Sequence, residues 1–308
     1  MASENPRHDY SPLNWDQFFS SKEVIETGNG DKFTVYRKGN QGPLFYLLHG
    51  GGYTGLTWSS FVHELTQSVE CQVIAPDLRG HGETKTSDDL NLSLEQQIED
   101  IKNIYEGIFG RDDNLPHCIM IGHSMGGALA VHVSKVELIP KMFALAVIDV
   151  VEGSAIAALE SMRTVLNHRP KEFADMNLAI RWSIKSGTCR NERQARVSMP
   201  SQLRRSETSG RFVWRIDLMK TEQYWTDWFT NLSNYFLECK PTKILILANV
   251  DRLDTTMTTA QMQGKFQQVI LTNCGHAIHE DVPQEVARLF ETLLTRYKVL
   301  LSLNKNKV

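Results

Sequence analysis

Cysteine is scarce and charge is nearly balanced in this 308-residue chain, and each shortage excludes a class of protein. The five cysteines, Cys71, Cys118, Cys189, Cys239 and Cys274, are odd in number, scattered, and never spaced Cys-x-x-Cys. A disulfide framework is therefore not expected, nor a zinc or redox motif, and reduced thiols fit the cytosol or nucleus. The formal net charge of −3 supplies no basic field for nucleic acid and no polybasic stretch for a membrane surface. The amino terminus lacks a basic region leading into an apolar run, so no signal peptide is expected and the protein is placed inside the cell, in cytoplasm or nucleus. Asn91-Leu92-Ser93 and Asn231-Leu232-Ser233 match the glycosylation pattern, which means nothing for a chain that stays there. Internal repeats and low-complexity tracts are also missing.

What remains is ordinary for a globular protein, with 41% hydrophobic and 22% charged residues. The length suits a single domain, 1–308, rather than two. Glu23 to Glu26 and Phe33 to Arg37 alternate around Gly28-Asn29-Gly30, the pattern of a β-hairpin. Apolar runs without alternation follow at Leu44 to Leu48, Gln72 to Ala75, Cys118 to Ile121, Phe143 to Ile148, Lys243 to Ala248 and Gln268 to Leu271. Runs of that length suit strands buried on both faces, as in a parallel sheet.

Between them lie helical patterns. Leu94, Ile98, Ile101, Tyr105 and Ile108 form a stripe after the capping box that starts at Ser93. Val286, Leu289, Phe290, Leu293, Leu294 and Tyr297 form another after Pro283. Strand and helix alternate, which predicts an α/β fold with a mostly parallel central sheet covered by helices on both faces. The alternation stops between Glu152 and Glu238, where no strand-like run is visible. Residues 152–238 are read as an inserted helical cap over the carboxyl edge of the sheet. Trp182, Met199, Trp214, Tyr224, Trp225 and Trp228 are candidates to line a site there, although packing is the commoner role for such residues.

The strongest chemical signal is Gly122-His123-Ser124-Met125-Gly126, which follows a strand and opens a helix. A serine on a sharp strand-to-helix turn is strained and lifted above the sheet, with the helix amino terminus and the Met125 amide behind it. That is the setting of a nucleophile whose developing oxyanion meets backbone N–H groups. The loop His49-Gly50-Gly51-Gly52 follows an earlier strand, and Gly51 or Gly52 is expected to supply the second donor. The same loop also matches G-x-G-x-x-G through Gly55, with Asp77 near the spacing of a ribose-binding acid. A dinucleotide-binding oxidoreductase is thus a rival, but it leaves the serine turn and Gly275-His276 unexplained.

The base must come late, because the order in such folds is Ser, acid, His. His276 stands between a strand and the last helix and takes that role. His279 is read as structural, and His123 as pointing away from the reaction. For the acid, Asp149 and Asp251 each end a strand, and geometry alone leans to Asp251, the commoner location.

Several long strings go further: Gly122 to Ala128, Ile148-Asp149-Val150-Val151-Glu152-Gly153, Ala195 to Met199, Val250-Asp251-Arg252-Leu253-Asp254, Gln261 to Phe266 and Cys274-Gly275-His276-Ala277. From about Asp9 to Tyr297 the chain resembles the protein phosphatase methylesterases, serine esterases of α/β-hydrolase fold. The resemblance implies removal of a methyl ester from the carboxyl-terminal leucine of the type 2A protein phosphatase catalytic subunit, which is both substrate and complex partner. It implies Ser124, Asp149 and His276 as the catalytic triad, reversing the lean to Asp251, and gives the cap a part in docking. Ser206 to Arg211 is shorter than in members that carry an acidic insertion there. No metal or organic cofactor is required for such acyl transfer, with Gly51 and Met125 as oxyanion donors. A small-ester carboxylesterase and a phosphatase-binding scaffold of low activity are the alternatives.

Overall fold

In the computed structural model, which describes residues 8–110, 115–248 and 253–305, the hairpin comes first. Strands β1 (Ser21–Glu26) and β2 (Lys32–Lys38) run antiparallel, pairing Ser21 with Arg37 and Glu26 with Lys32. There follow β3 (Leu44–Leu48), β4 (Gln72–Pro76), β5 (Cys118–His123) and β6 (Met142–Ile148). Three very short strands come next, β7 (Glu172–Phe173), β8 (Leu203–Arg205) and β9 (Phe212–Trp214). The last are β10 (Thr242–Ala248) and β11 (Gln267–Leu271).

Eight strands form one sheet in the order β1-β2-β4-β3-β5-β6-β10-β11. β2 meets both β1 and β4 antiparallel, and every pairing from β4 to β11 is parallel. The apolar runs have a simple cause. Alternate residues of a strand face opposite sides, so Leu44, Tyr46 and Leu48 enter one core while Phe45 and Leu47 enter the other. Burying each large apolar side chain stabilises the fold by about 1.5–3 kcal/mol. The helices Leu94–Phe109 and Met125–Lys135 cover the first face, and Ser59–Ser68 and Pro283–Lys305 the second. Phe290 on the last helix meets Phe45 and Phe61 edge-on, at 5.7 and 5.9 Å between ring centroids.

Two local expectations fail. Ser93 stands at the amino end of its helix, but its side chain makes no capping hydrogen bond. The 152–238 segment is not purely helical, because β7, β9 and β8 form a separate antiparallel sheet. Strands of two or three residues are too short to leave an alternation in the sequence. Ser206 to Arg211 is the turn joining β8 to β9, closed by the Ser206 N–H donating to the Arg211 carbonyl at 2.8 Å. Hairpin tips of this kind tolerate changes in length. No described helix is long and apolar enough to cross a membrane.

Candidate active site

β5 delivers its chain into a turn with no room to spare. Ser124, directly before the helix Met125–Lys135, has φ 52° and ψ −119°, a strained conformation for a non-glycine residue. Its N–H donates to the Ile148 carbonyl at 3.0 Å, tying the turn to the end of β6. A Cβ on Gly126 would fall 2.3 Å from the Leu48 carbonyl oxygen, and one on Gly122 only 2.1 Å from that of Gly126. The turn therefore needs both glycines for backbone approach.

Asp149 extends from β6 with φ 52°, its N–H donating to the Ile246 carbonyl at 2.8 Å. One carboxylate oxygen, Oδ1, accepts from the Ala248 N–H at 3.0 Å and the other, Oδ2, from His276 Nδ1 at 2.8 Å. Since the carboxylate accepts, Nδ1 carries the proton and Nε2 is left as the basic nitrogen. The acid's side chain is 4% exposed and the imidazole 52%, so the pair runs from the interior toward solvent. Asp149 is brought to His276. Asp251 lies outside the described residues.

The His276 loop has supports that the sequence did not reveal. Asp281 accepts from the Gly275 N–H and the Arg190 N–H, both at 2.7 Å, so one carboxylate holds this loop and the 152–238 segment together. His123, fully buried, donates from Nε2 to the His276 carbonyl at 3.0 Å. Its ring stands 4.6 Å from the His276 ring, and the bond holds the main chain that carries that imidazole. The close succession of Asp281 after His276 was the only available hint. His279 is buried against Trp58, 4.0 Å between rings, and bonded to Thr57 at 3.0 Å, a packing role as expected.

Burial, reinforced by neighbouring histidines, pushes His49 and His123 well below the ordinary imidazole value. Burial also takes His81 down to about 4 and His279 to about 3. Neutral His81 donates from Nδ1 to the Arg79 carbonyl, so its Nε2 accepts the Gly52 N–H at 2.9 Å. The Gly52 N–H is thereby engaged by His81. Met125 is the first residue of its helix, where an N–H has no intrahelical acceptor. The dinucleotide reading fails on Asp77, whose carboxylate oxygens are taken by the N–H groups of Gly55 and Glu83.

Ser124, Met125, Gly51 and His276 line one cavity of about 500 Å³. Trp182, Trp214, Trp225 and Trp228 form much of its wall, whereas Met199 and Tyr224 pack into the two cores beside it. The indole N–H groups of Trp214, Trp225 and Trp228 are spent on Pro170, Thr221 and Leu92. Those walls therefore present carbon to the cavity.

Glu280 is buried beside the base loop, accepting from Thr57 at 2.6 Å and Gln194 at 3.3 Å, and burial raises its carboxyl from 4.5 to about 7. A raised carboxyl binds its proton more tightly folded than unfolded, so stability falls as pH rises from 4.5 to about 7. Glu280→Gln removes this loss. Urea unfolding of both proteins should give equal stabilities below pH 4.5 and an advantage of up to about 3 kcal/mol for the variant above neutrality. An advantage of the same size at every pH would contradict the assignment.

The family model described as "Alpha/beta hydrolase family" matches residues 45–289. A Caenorhabditis elegans protein named "Probable protein phosphatase methylesterase 1" is 51% identical, covering 97% of this chain and 81% of its own. A Bos taurus protein named "Protein phosphatase methylesterase 1" is 43% identical, covering 95% and 88%. Among solved structures, an E-2-(acetamidomethylene)succinate hydrolase superposes with TM-score 0.73 at 17% identity over 89% of this chain and 99% of its own. A Mycobacterium tuberculosis esterase gives 0.67 at 22% identity over 89% and 92%. At such identities these two speak for the fold alone.

Proposed function

The chain belongs to the protein phosphatase methylesterase family of α/β-hydrolases, and we propose that it is a serine carboxylesterase acting on the carboxyl-terminal leucine methyl ester of the type 2A protein phosphatase catalytic subunit. The observation that carries this reading is the meeting, in one apolar-walled cavity, of Ser124 on a strained turn and a His276 held by buried Asp149. His276 Nε2 takes the Ser124 proton as the hydroxyl attacks the ester carbonyl, while the Met125 and Gly51 amides receive the oxyanion. The imidazolium returns the proton to departing methanol. Water, deprotonated by the same nitrogen, then attacks the acyl-enzyme and frees Ser124 and the leucine carboxylate. Residues 152–238 act as a cap inserted in a single domain, supplying the aromatic wall that receives the leucine end and a surface for the phosphatase.

The names of the two relatives support the phosphatase as substrate and partner. The test is methanol release from the methylated phosphatase catalytic subunit, with an aryl acetate alongside. Demethylation far faster than aryl-ester cleavage is the expected result. Aryl-ester cleavage without demethylation would leave a general carboxylesterase, and binding without either reaction a scaffold.

A further inference from the structure

One arginine lies in the wall of this cavity, among tryptophans and a few neutral polar side chains, with no ion-pair partner among the described residues. Arg169 lines the cavity, half-buried, with its guanidinium 4.2 Å from the centroid of the Trp214 ring. Its position is fixed from several sides. Its N–H donates to the Val165 carbonyl at 3.2 Å. The next residue, Pro170, accepts the Trp214 indole N–H at 2.7 Å. Trp214 in turn packs against Trp182 and Phe173, at 5.9 and 6.0 Å between centroids.

Among the described residues no carboxylate forms an ion pair with this guanidinium. Burial lowers it from its ordinary value, and exposed Asp217 offsets this only through its field. A guanidinium stays charged and presents planar N–H donors matched to a carboxylate. Held against an indole in a desolvated wall, it carries a cost that an incoming anion would relieve.

We propose that Arg169 is a specificity-determining residue that receives a side-chain carboxylate borne by the substrate polypeptide upstream of its esterified terminus. This rests on the esterase reading above, since Ser124 and Arg169 then contact the same bound chain from two places in one cavity. The esterified end itself is neutral and needs no cation. The carboxylate that Arg169 pairs with must therefore come from an earlier residue, so acidic tails are favoured over neutral or basic ones.

The test uses the full chain and short peptides ending in leucine methyl ester, with aspartate, asparagine or lysine placed in turn at each preceding position. For the unaltered protein one aspartate position should raise kcat/KM about tenfold over asparagine, carried by KM. Within each variant the aspartate-to-asparagine ratio is compared, which is insensitive to a general loss of activity. Arg169→Met should bring the ratio to unity, Arg169→Lys should keep part of it, and Arg169→Glu should transfer the preference to lysine at that position. Inversion by the last variant cannot come from misfolding. An unchanged ratio in Arg169→Met, or no aspartate preference in the unaltered protein, would overturn the proposal. The same peptides as carboxyl-terminal amides, competing against aryl-acetate turnover, read the preference separately. If the esters resist cleavage while aspartate amides still compete better than asparagine amides, the esterase reading falls and the acidic site stands.

Discussion

Ser124→Ala is expected to lower ester hydrolysis by about 10⁶-fold, as loss of a triad nucleophile does elsewhere. The residual rate would reflect only binding and the amides of Met125 and Gly51. The fold should survive, because the Ser124 side chain makes no capping hydrogen bond to its helix and the Ile148 bond uses only the main chain. Stability should change by less than about 0.5 kcal/mol, because alanine keeps the Cβ and so leaves the strain of the turn as it was. The decisive measurement is turnover of the methylated phosphatase and of an aryl ester, with urea unfolding on the same preparations. Normal turnover by a folded Ser124→Ala protein would remove the serine mechanism. Retained phosphatase binding would separate docking from chemistry.

Asp149→Asn is expected to cost about 10⁴-fold in rate, and the local bonding says why. Asp149 Oδ1 is engaged by the Ala248 N–H, leaving Oδ2 for His276. In an asparagine, the carbonyl would stay with Ala248 and the amide NH₂ would face Nδ1. The imidazole would then have to carry its proton on Nε2, the nitrogen that must accept from Ser124. Asp251→Asn, assayed in parallel, should retain most of the rate. A near-normal Asp149→Asn with a crippled Asp251→Asn would move the acid to the end of β10.

The parallel strands were legible because each is buried on both faces, which leaves an unbroken apolar run such as Leu44–Leu48. The turn at Ser124 was legible because close approach demands Gly122 and Gly126 in sequence. The acid was not legible from geometry. Asp149 and Asp251 both follow strands, and which carboxylate reaches the imidazole depends on the placing of β10 between β6 and β11, a long-range pairing without local trace. Family resemblance, not strand position, pointed to Asp149. The three short strands escaped notice because two or three residues carry no period. Trp214 and Met199 looked alike in sequence, yet the first faces the cavity and the second is sealed in a small core. The buried partners of the base, His123 and Asp281, are set by tertiary packing.

The way the three reactive residues are fastened divides them by durability. Ser124 and Asp149 are joined by main-chain bonds to neighbouring strands, through Ile148 and Ile246, so neither can move without loosening the central sheet. His276 rides on a loop secured by two side chains, one of which, Asp281, also grips Arg190 of the 152–238 segment. Mild heat or a pull on that segment would reach the base well before the nucleophile. The protein would then fall silent while still folded, with Ser124 and Asp149 in place, and regain its rate once the loop settled back.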